Sequence, residues 1–552
     1  MIDRVPTPYD AKIYTEDWRA WRDPEIPEWV DPIGILIGRH LGTPVERKPA
    51  LIVDGKATSY GALAALVGKT AAGLAALGID AEHRVLLFGT DGLDYMAMWF
   101  GTIAAGAVPA VVSDLYRTKD FLYFLRDTGA RHLFIDAEQL PKLLDILDAL
   151  PDCLQSVIVR GDWPETLAGR LSGRTLVSFD GVLRAAASAI TPRLRHANDV
   201  TYMFYSGGTT GMAKGITHLA HDFVVIPERH GHFWEYRESD VVLATSKKYF
   251  THGLWPGLLI PLYWGATAVL DRRPPQPQVV LDGLSEFAVT KLISVPTVLK
   301  NILEHLRQTG GKPSLPALSL VISASEKIPP EIFRRFFDLF GVEIFDSIGS
   351  SEVTYEWISN RPKEFKRGSL GKPIFGCEVR LVGADGCDVT RPGVAGEAWI
   401  KSRTACFFYW RKYDLSRDTF IGPWTRTGDN LYFDKDGYFW FSGRGNDVFK
   451  VKGMWVSPLE IEAALTEHPA VREAAVISFE DGDGFTKPKA FVVLREGHAP
   501  SDPLLREFDA AVKPLGAYKI PAAYEFLPEL PRTTLLKIDR RALRERSAPA
   551  KR

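Results

Sequence analysis

Cysteine is scarce in this chain of 552 residues and occurs at four scattered positions, Cys153, Cys377, Cys387 and Cys406. No C-x-x-C pair is present, so the sequence indicates neither a zinc site nor a disulfide framework. Such a chain suits a reducing compartment, and we expect a cytoplasmic protein.

A surplus of charge of either sign is also lacking. The 67 lysine and arginine residues are balanced by 68 aspartate and glutamate residues, which gives a net charge of -1. Because nucleic-acid binding depends on a clustered excess of basic side chains, we expect no nucleic-acid partner. A local basic pocket for a small anion is still compatible with this balance.

Uninterrupted apolar runs of membrane-spanning length are missing as well. Residues 95–112 and 251–270 approach the length of a span, but the first contains Gly106 and Pro109 and the second contains two prolines. These breaks favour a buried α/β core, so we expect no integral membrane segment. The N-terminal residues are charged and have no apolar core, so no signal peptide is visible.

The chain does contain short apolar runs that alternate with helical patterns. The runs include "RVLLFGT", "HLFID", "VVLATS", "KLISV" and "VEIFDSIG", and such alternation is typical of doubly wound α/β layers. After Gly349, tight glycine turns separate the strands "GCEVRLVG", "GEAWIKS" and "GYFWFSGR", which indicates a β-rich subdomain. From "GMWVSPLEIEAALTEHP" a compact α/β unit runs to the end, and Ser457 followed by Pro458 predicts a capped helix start.

The predicted fold class is therefore α/β. We expect a large N-terminal domain of doubly wound sheets with a β-rich subdomain, followed by a small α+β C-terminal domain. The predicted boundary separates residues 1–445 from residues 446–552.

The stretch "FYSGGTTGMAKGITH", residues 204–218, is the densest cluster of glycine, serine and threonine in the chain. Backbone N–H groups of such a loop can converge on phosphate oxygens, and Lys214 adds a cation. The P-loop consensus fails here, because Ala213 precedes the lysine and Gly215 follows it. Taken alone, the stretch is either a phosphate cradle or a structural turn.

Four further motifs follow in order: "SIGSSE", "TGD", "GRGNDVFKVKG" and "LPRTTLLKIDR". Together with "YSGGTTGMAKG" they resemble the signature motifs of the adenylate-forming superfamily, which includes acyl-CoA synthetases, nonribosomal peptide adenylation domains and luciferases. The resemblance covers most of the chain. Within the superfamily, "SASEKIPPEIFRRFFDLFGVEIFDSIGSSE" and "KKYFTHGLWPGLLIPLYWGAT" look most like benzoate-type CoA ligases.

The resemblance implies a reaction in two halves, with ATP, Mg2+ and coenzyme A. A carboxylate attacks the α-phosphate of ATP to give an acyl-adenylate and pyrophosphate, and the thiol of coenzyme A then releases AMP. The first half brings an anion to a polyanion, so the site needs cations and oriented donors. The implied catalytic residues are Lys537, Glu352 and Lys214, with Glu352 as the metal ligand. The alternative for Lys537 is a solvated lysine in a basic run.

The motifs also imply a nucleotide site. Asp429 matches the carboxylate that accepts the ribose hydroxyls, and Arg444 matches a ribose and phosphate contact; either could be an ordinary loop charge. The implied ATP- and AMP-binding residues are Ser206, Gly208, Thr209, Thr210, Gly211, Lys214, Ala324, Ser325, Glu326, Asp346, Ser347, Gly349, Ser351, Asp429, Phe441, Arg444 and Lys537.

The second half-reaction implies a rotation of the C-terminal domain, which is therefore expected to be mobile. The hinge of the family corresponds to Asn446, and the loop that carries Lys450 and Gly453 would then approach the adenylate for thioester formation.

The chain departs from the family pattern at positions that leave every charged catalytic group in place. Ala213 replaces a proline and Ser325 a glycine, so the phosphate loop is less stiff and close approach to adenine is in doubt. Both half-reactions are therefore expected. The departures are Gly207, Ala213, Ser325, Asn446 and Leu536.

The acyl pocket of benzoate-type ligases corresponds to six positions that are more polar than plain benzoate requires. An imidazole or a phenol can hydrogen-bond a hydroxyl or amino substituent, so we expect a small hydroxy- or amino-substituted aromatic acid. A small 2-hydroxy or branched aliphatic acid is the alternative; His252 could instead bond backbone, and Glu356 could point to solvent. The six residues are Thr251, His252, Ala324, Gly349, Tyr355 and Glu356.

Two other functions compete with a CoA ligase. One is a stand-alone adenylation enzyme that loads a carrier protein in trans, and the other is a catalytically dead nucleotide-binding protein. The sequence leaves the oligomeric state open, with a homodimer as one option.

Overall fold

The computed structural model describes residues 21–171, 173–186, 191–206, 212–326, 328–445, 449–451, 454–480, 486–533 and 537–547. These residues divide into two compact units. The larger unit comprises residues 21–379 and 400–426, and the smaller comprises residues 380–399 and the described residues from 427 onwards. The proposed boundary after residue 445 stays a prediction, and the proposed hinge residue, Asn446, lies outside the described residues.

The first sheet of the larger unit has seven strands and is parallel except at one edge. Arg84–Phe88, the first of these strands along the chain, lies in the interior of the sheet. The later strands lie on both sides of it. In spatial order the strands are Lys214–Leu219, Val200–Ser206, Val108–Val112, Arg84–Phe88, His132–Asp136, Ser156–Arg160 and Thr175–Ser178.

The second sheet has nine strands, parallel in its centre and antiparallel at both ends. Strand order reverses between Val241–Ala244 and Lys291–Ser294, and crevices at the carboxyl ends of strands at such a point are where α/β sheets bind ligands. In spatial order the strands are Lys372–Pro373, Glu356–Ser359, Ile344–Gly349, Leu320–Ser323, Lys291–Ser294, Val241–Ala244, Thr267–Leu270, Pro49–Val53 and Lys56–Ser59. A short pair, Trp29–Val30 with Arg195–His196, stands apart.

Helices connect the parallel strands. The α-helices of the larger unit are Pro32–Leu36, Tyr60–Ala76, Leu93–Ala104, Thr118–Thr128, Leu140–Leu144, Thr166–Arg170, Phe179–Ala185, Asp222–Phe233, Thr251–Leu254, Ile260–Tyr263, Pro277–Glu286, Pro296–Thr309, Pro330–Phe340 and Tyr413–Thr419, with a π-helix at Trp255–Leu259. Single 3-10 turns occur at Gly38–His40, Pro44–Arg47, Ala137–Gln139, Leu147–Ala149 and Ser351–Val353.

The first long apolar stretch breaks where the sequence predicts, whereas the second continues through its two prolines as contiguous helical segments. Leu93–Ala104 is a helix and Val108–Val112 is the strand that follows it. The second stretch becomes a chain of short helical segments before the strand Thr267–Leu270. Across the described ranges, no helix is long and apolar enough to cross a bilayer. None of the four cysteines forms a disulfide.

The β-rich segment contains the strands Glu378–Val382, Gly396–Lys401, Phe420–Ile421, Trp424–Phe433 and Phe439–Arg444. The described residues of the last part of the chain form a hairpin, a three-stranded sheet and three helices; two of the helices contribute to one apolar cluster and the last helix to another. Its strands are Phe449–Val451, Met454–Val456, Val471–Glu480, Thr486–Leu494 and Ala523–Phe526; its α-helices are Pro458–Thr466, Asp502–Val512 and Arg540–Ser547, with 3-10 turns at Lys513–Leu515 and Ala517–Lys519.

The helix predicted after Ser457 begins at Pro458, but its cap differs from the prediction. Ser457 has extended backbone angles and makes no side-chain cap hydrogen bond. Its hydroxyl is buried without a partner among the described residues. Proline at the first helical position, which needs no N–H partner, is therefore the start signal that the structure uses.

Candidate active site

The glycine-rich stretch connects two paired strands of the first sheet. Ser206 and Lys214 face each other at the ends of these antiparallel strands, so both ends of the loop are held together. The carbonyl oxygen of Ala213 accepts a hydrogen bond from the Tyr123 hydroxyl at 2.5 Å. The loop residues Gly207, Gly208, Thr209, Thr210 and Gly211 lie outside the described residues.

Lys214 and Glu352, predicted from separate motifs, lie together in the structure. The Lys214 ammonium is 2.8 Å from Oε1 of Glu352, and both side chains are mostly buried. Tyr409 completes the cluster: its hydroxyl is 2.9 Å from the same Oε1 and 2.8 Å from the ammonium. Burial alone would raise the pKa of Glu352, but the ammonium and the phenol outweigh it and hold that pKa below its usual value.

Tyr409 is a residue that the motif analysis missed, and the backbone explains how it reaches the cluster. It forms an isolated antiparallel bridge with Ile216, and the Trp410 amide donates to the carbonyl of Gly215 at 2.8 Å. The Cys406 amide donates to the carbonyl of Glu352 at 2.8 Å. A segment nearly 200 residues downstream of Lys214 thereby contacts both of these predicted catalytic residues, a relationship that spacing along the chain does not reveal.

The segment predicted to contact adenine follows the strand Leu320–Ser323. Ala324 is buried, whereas Ser325 is exposed and has φ = +78°, in the left-handed region. This conformation gives a physical reason for glycine at this position in the family, because glycine adopts it without steric cost. Glu326 accepts a hydrogen bond from the Thr297 hydroxyl at 2.7 Å.

The strand Ile344–Gly349 and the turn after it carry predicted nucleotide contacts. The Ser347 amide donates to Oδ1 of Asp346, and the Ser347 hydroxyl donates to the carbonyl of Ser323 at 2.9 Å. Ser351 begins the 3-10 turn that carries Glu352. These bonds fix the end of the strand Ile344–Gly349 against its neighbour in the sheet.

The polar residues predicted for the acyl pocket form a buried network. His252 Nδ1 is 3.1 Å from Oε1 of Glu356 and 3.2 Å from the Tyr355 hydroxyl. His252 Nε2 is 2.9 Å from the carbonyl oxygen of Ser294. One ring nitrogen of His252 therefore does contact the backbone, as the alternative for that residue stated. The alternative that Glu356 points to solvent is wrong, because that residue is 3% exposed.

This network lies where the strand order of the second sheet reverses. Ser294 ends one of the two strands that flank the reversal, and its hydroxyl is 3.1 Å from that of Thr245, which follows the other. Thr251 opens the short helix that carries His252. The network therefore lies where open α/β sheets bind ligands.

The strand pairing is irregular beside the His252 network. The pairing of Ile344–Gly349 with Glu356–Ser359 shifts register at Gly349, which lies opposite Glu356. A Cβ atom at Gly349 would lie 2.6 Å from the Cα of Glu356, so only glycine fits there. Bulges of this kind often redirect side chains beside active sites.

Thr354, between Glu352 and the bulge, has φ = +76°, which is a strained value for a β-branched residue. Its hydroxyl is 3.1 Å from Nδ1 of His218 and 3.3 Å from Oδ2 of Asp222, and it donates to the carbonyl of Thr404 at 2.5 Å. Buried hydrogen bonds therefore hold the turn that separates the Lys214 cluster from the His252 network.

The remaining predicted contacts belong to the smaller unit. Asp429 and Arg444 are paired on adjacent antiparallel strands, and Nε of Arg444 is 2.9 Å from Oδ1 of Asp429. Phe441 lies on the same strand as Arg444 and is partly buried. Lys537 is exposed, and its carbonyl oxygen accepts a hydrogen bond from the Thr533 amide.

Several predicted positions fall outside the described residues. These are Gly453, the hinge residue Asn446 and Leu536, in addition to the five loop glycines and threonines. Lys450 lies on the strand Phe449–Val451.

Comparison with known protein families agrees with the order of the motifs. The profile of the AMP-binding enzyme family matches residues 41–410, and that of the AMP-binding enzyme C-terminal domain matches residues 460–537. The chain belongs to the AMP-binding enzyme family. The resemblance to the adenylate-forming superfamily is thereby confirmed.

Relatives and solved structures place the chain near benzoate-type ligases. It is 35% identical to the benzoate–CoA ligase of Thauera aromatica over 94% of this chain and 97% of that protein. It is also 35% identical to the 4-hydroxybenzoate–CoA/benzoate–CoA ligase of Rhodopseudomonas palustris, over 90% of each. The crystal structure of the anthranilate CoA ligase AuaEII with anthranoyl-AMP superposes with a TM-score of 0.85 at 33% identity, covering 95% of this chain and 98% of that one.

Proposed function

We propose that this family member is an AMP-forming carboxylate–CoA ligase for a small aromatic acid that carries a hydroxyl or amino substituent. The similar proteins named for benzoate, 4-hydroxybenzoate and anthranilate support the aromatic class. The buried network of His252, Tyr355 and Glu356 carries the choice of a polar substituent. A cytoplasmic location belongs to the same proposal and is supported by the absence of disulfides.

In the adenylation half, a carboxylate oxygen of the acid attacks the α-phosphorus, and the bond to the pyrophosphate oxygen breaks. Glu352 fits a magnesium ligand, because it is an oxygen donor whose lowered pKa keeps it ionised. Bound Mg2+ would neutralise phosphate charge. Lys214 supplies a further cation for the phosphates, and Lys537 is proposed to bridge the carboxylate and the α-phosphate.

Other residues hold the nucleotide and serve the second half-reaction in this proposal. Asp429 accepts the ribose hydroxyls, and its pairing with Arg444 keeps that carboxylate oriented. The thiol sulfur of coenzyme A then attacks the acyl carbon, and AMP leaves. Rotation about Asn446 is proposed to bring Lys450 and Gly453 close to the acyl-adenylate for thioester formation.

The single observation that carries the substrate choice is the unused hydrogen-bonding capacity of Glu356. Its Oε2 is buried and has no partner among the described residues. An acid with an O–H or N–H group can supply the missing donor, whereas unsubstituted benzoate cannot. Sites built on such buried polar groups reject the analogue that leaves them unpaired.

A screen of acids tests the proposed function. Pyrophosphate exchange would be measured with benzoate, the hydroxybenzoates, 2-aminobenzoate and short 2-hydroxy acids, and CoA esters would be detected by mass. We expect exchange and CoA-ester formation, fastest with a hydroxy- or aminobenzoate. A clear preference for benzoate would contradict the polar-substrate proposal. Exchange without any CoA ester would favour a carrier-loading enzyme, and silence with every acid would favour a dead nucleotide-binding protein.

A further inference from the structure

The hydrogen bonds in the Lys214 cluster have a fixed direction. An ammonium group has donors and no acceptor, so Lys214 donates both to Oε1 of Glu352 and to the oxygen of Tyr409. The single hydroxyl proton of Tyr409 therefore points to Glu352. Tyr409 is a neutral donor to the carboxylate, and Lys214 is a charged one.

The two donors differ in how firmly they are held. The Tyr409 ring is 2% exposed and packs 5.0 Å from the ring of Phe420, and its amide donates to the Ser416 hydroxyl at 2.8 Å. Lys214 is attached at the end of the glycine-rich stretch by a flexible chain, and 22% of its side chain is exposed. Lys214 can therefore leave the carboxylate by side-chain rotation, whereas the phenol stays in place.

We propose that Tyr409 is a positioning residue that keeps Glu352 oriented for the metal when Lys214 moves from the carboxylate to the nucleotide phosphates. This inference rests on the proposed function. In the structure the ammonium occupies Oε1 of the carboxylate that the metal would use. Two cations close together on one carboxylate repel each other, so a metal held by Glu352 would favour the transfer of Lys214 to the nucleotide phosphates.

A neutral donor solves the problem that this exchange creates. Without Tyr409, the departure of Lys214 would leave a largely buried carboxylate with no side-chain donor from the part of the chain that the structure describes, free to rotate. The phenol holds one oxygen without adding positive charge beside the metal.

The variant Tyr409→Phe tests this role, because it keeps the ring and removes only the hydroxyl. Calorimetry would measure binding of ATP with Mg2+, ATP without metal, and AMP, all in the absence of acid. We expect about tenfold weaker binding of magnesium–ATP, the value of one hydrogen bond to a charged group. AMP lacks the β- and γ-phosphates of ATP, so its binding should be unchanged.

A matched control is Tyr413→Phe, which removes the hydroxyl of a 71% exposed tyrosine in the same segment and should leave all three affinities unchanged. Wild-type affinity of Tyr409→Phe for magnesium–ATP would overturn the inference. So would an equal loss of AMP and magnesium–ATP binding, which would indicate a structural role. If the wild-type protein bound neither nucleotide, the proposed function itself would be overturned.

A double variant tests whether the effect of Tyr409→Phe depends on Lys214. In a Lys214→Met background, Tyr409→Phe should still weaken binding of magnesium–ATP by a similar factor, because the phenol acts on Glu352 and not through the lysine. Loss of the Tyr409→Phe effect in that background would overturn the inference.

Discussion

Nε2 of His252 lies 2.9 Å from the backbone carbonyl oxygen of Ser294, and this contact fixes the proton on that ring nitrogen. The other nitrogen, Nδ1, then shares one further proton with Glu356. Burial raises the pKa of Glu356, although the hydrogen bond and charge of His252 act in the opposite direction. The network therefore presents a carboxyl oxygen, Oε2, that can accept a donor from the substrate.

Replacing Glu356 by leucine should shift the acid preference towards benzoate. The variant removes the buried acceptor, so the ratio of kcat/KM for 2-aminobenzoate or a hydroxybenzoate to that for benzoate should fall about tenfold, as expected for a lost hydrogen bond. Glu356→Gln, which keeps size and an acceptor, should change the ratio less. An unchanged ratio in Glu356→Leu would show that the carboxyl does not select the substituent.

Lys537→Ala should separate the two half-reactions. If Lys537 bridges the acid and the α-phosphate, its loss should lower pyrophosphate exchange by roughly a hundredfold or more, in the range for removal of one transition-state contact. Thioester formation from synthetic acyl-adenylate and coenzyme A should be nearly unaffected. Lys513→Ala, at another exposed lysine of the same unit, is the control. Equal exchange rates in both variants would contradict the assigned role.

Much of the fold was predictable because its signals are local. The runs around Arg84–Phe88, His132–Asp136 and Lys291–Ser294 are all strands, as alternation of apolar segments and helices indicates. Buried parallel strands need continuous apolar runs, and the connecting helices need their own periodicity. Both requirements are visible within a few residues of sequence.

The contacts of the site were less predictable because they join distant segments. The bridge from Tyr409 to Ile216 and the register shift at Gly349 depend on tertiary packing. None of the five motifs contains Tyr409, and the pairing of Glu356 with Gly349 depends on the register shift. The motifs thus singled out Lys214 and Glu352, but neither Tyr409 nor the hydrogen bonds that join the three residues.

Gly349→Ala should damage both stability and acid binding. The added Cβ would lie 2.6–2.7 Å from backbone atoms of Tyr355 and Glu356, and backbone cannot yield cheaply. Overpacking of this kind costs about 1–3 kcal/mol. Gly169→Ala is the matched control, because a Cβ there meets nothing within 4 Å and the site is helical. Denaturant unfolding should show loss only for Gly349→Ala; equal midpoints would contradict the packing argument.

Ser325→Gly should stabilise the larger unit slightly. The left-handed backbone costs a non-glycine residue about 1–2 kcal/mol, which glycine would avoid. Glycine in turn lowers stability by about 0.5–1 kcal/mol, because it gives the unfolded chain more conformational freedom. The expected net gain is therefore about 0.5 kcal/mol, measured as a shift in the denaturation midpoint. Ser319→Gly, on ordinary backbone, should destabilise instead. A loss of stability in Ser325→Gly would show that the serine side chain contributes more than its strained backbone costs.

His132 should make the protein sensitive to mild acid. Burial, with further contributions from His83 and Arg131, lowers its pKa from 6.5 to about 4. Between these values the unfolded chain takes up a proton that the folded protein does not, so stability falls as pH decreases from about 6.5 and the loss is complete below about 4. At pH 5 this linkage amounts to about 2 kcal/mol relative to neutral pH.

The variant His132→Asn isolates this contribution. Asparagine cannot titrate but can still bond the Ser156 hydroxyl, which lies 2.9 Å from Nδ1 of His132. The variant should be less stable at pH 7.5, yet should lose about 2 kcal/mol less than the wild type between pH 7.5 and pH 5 by denaturant unfolding. His498→Asn, at an exposed histidine, should keep the wild-type pH dependence. If His132→Asn lost as much as the wild type, the buried imidazole would have to be protonated in the folded protein, against its contacts with His83 and Ser156.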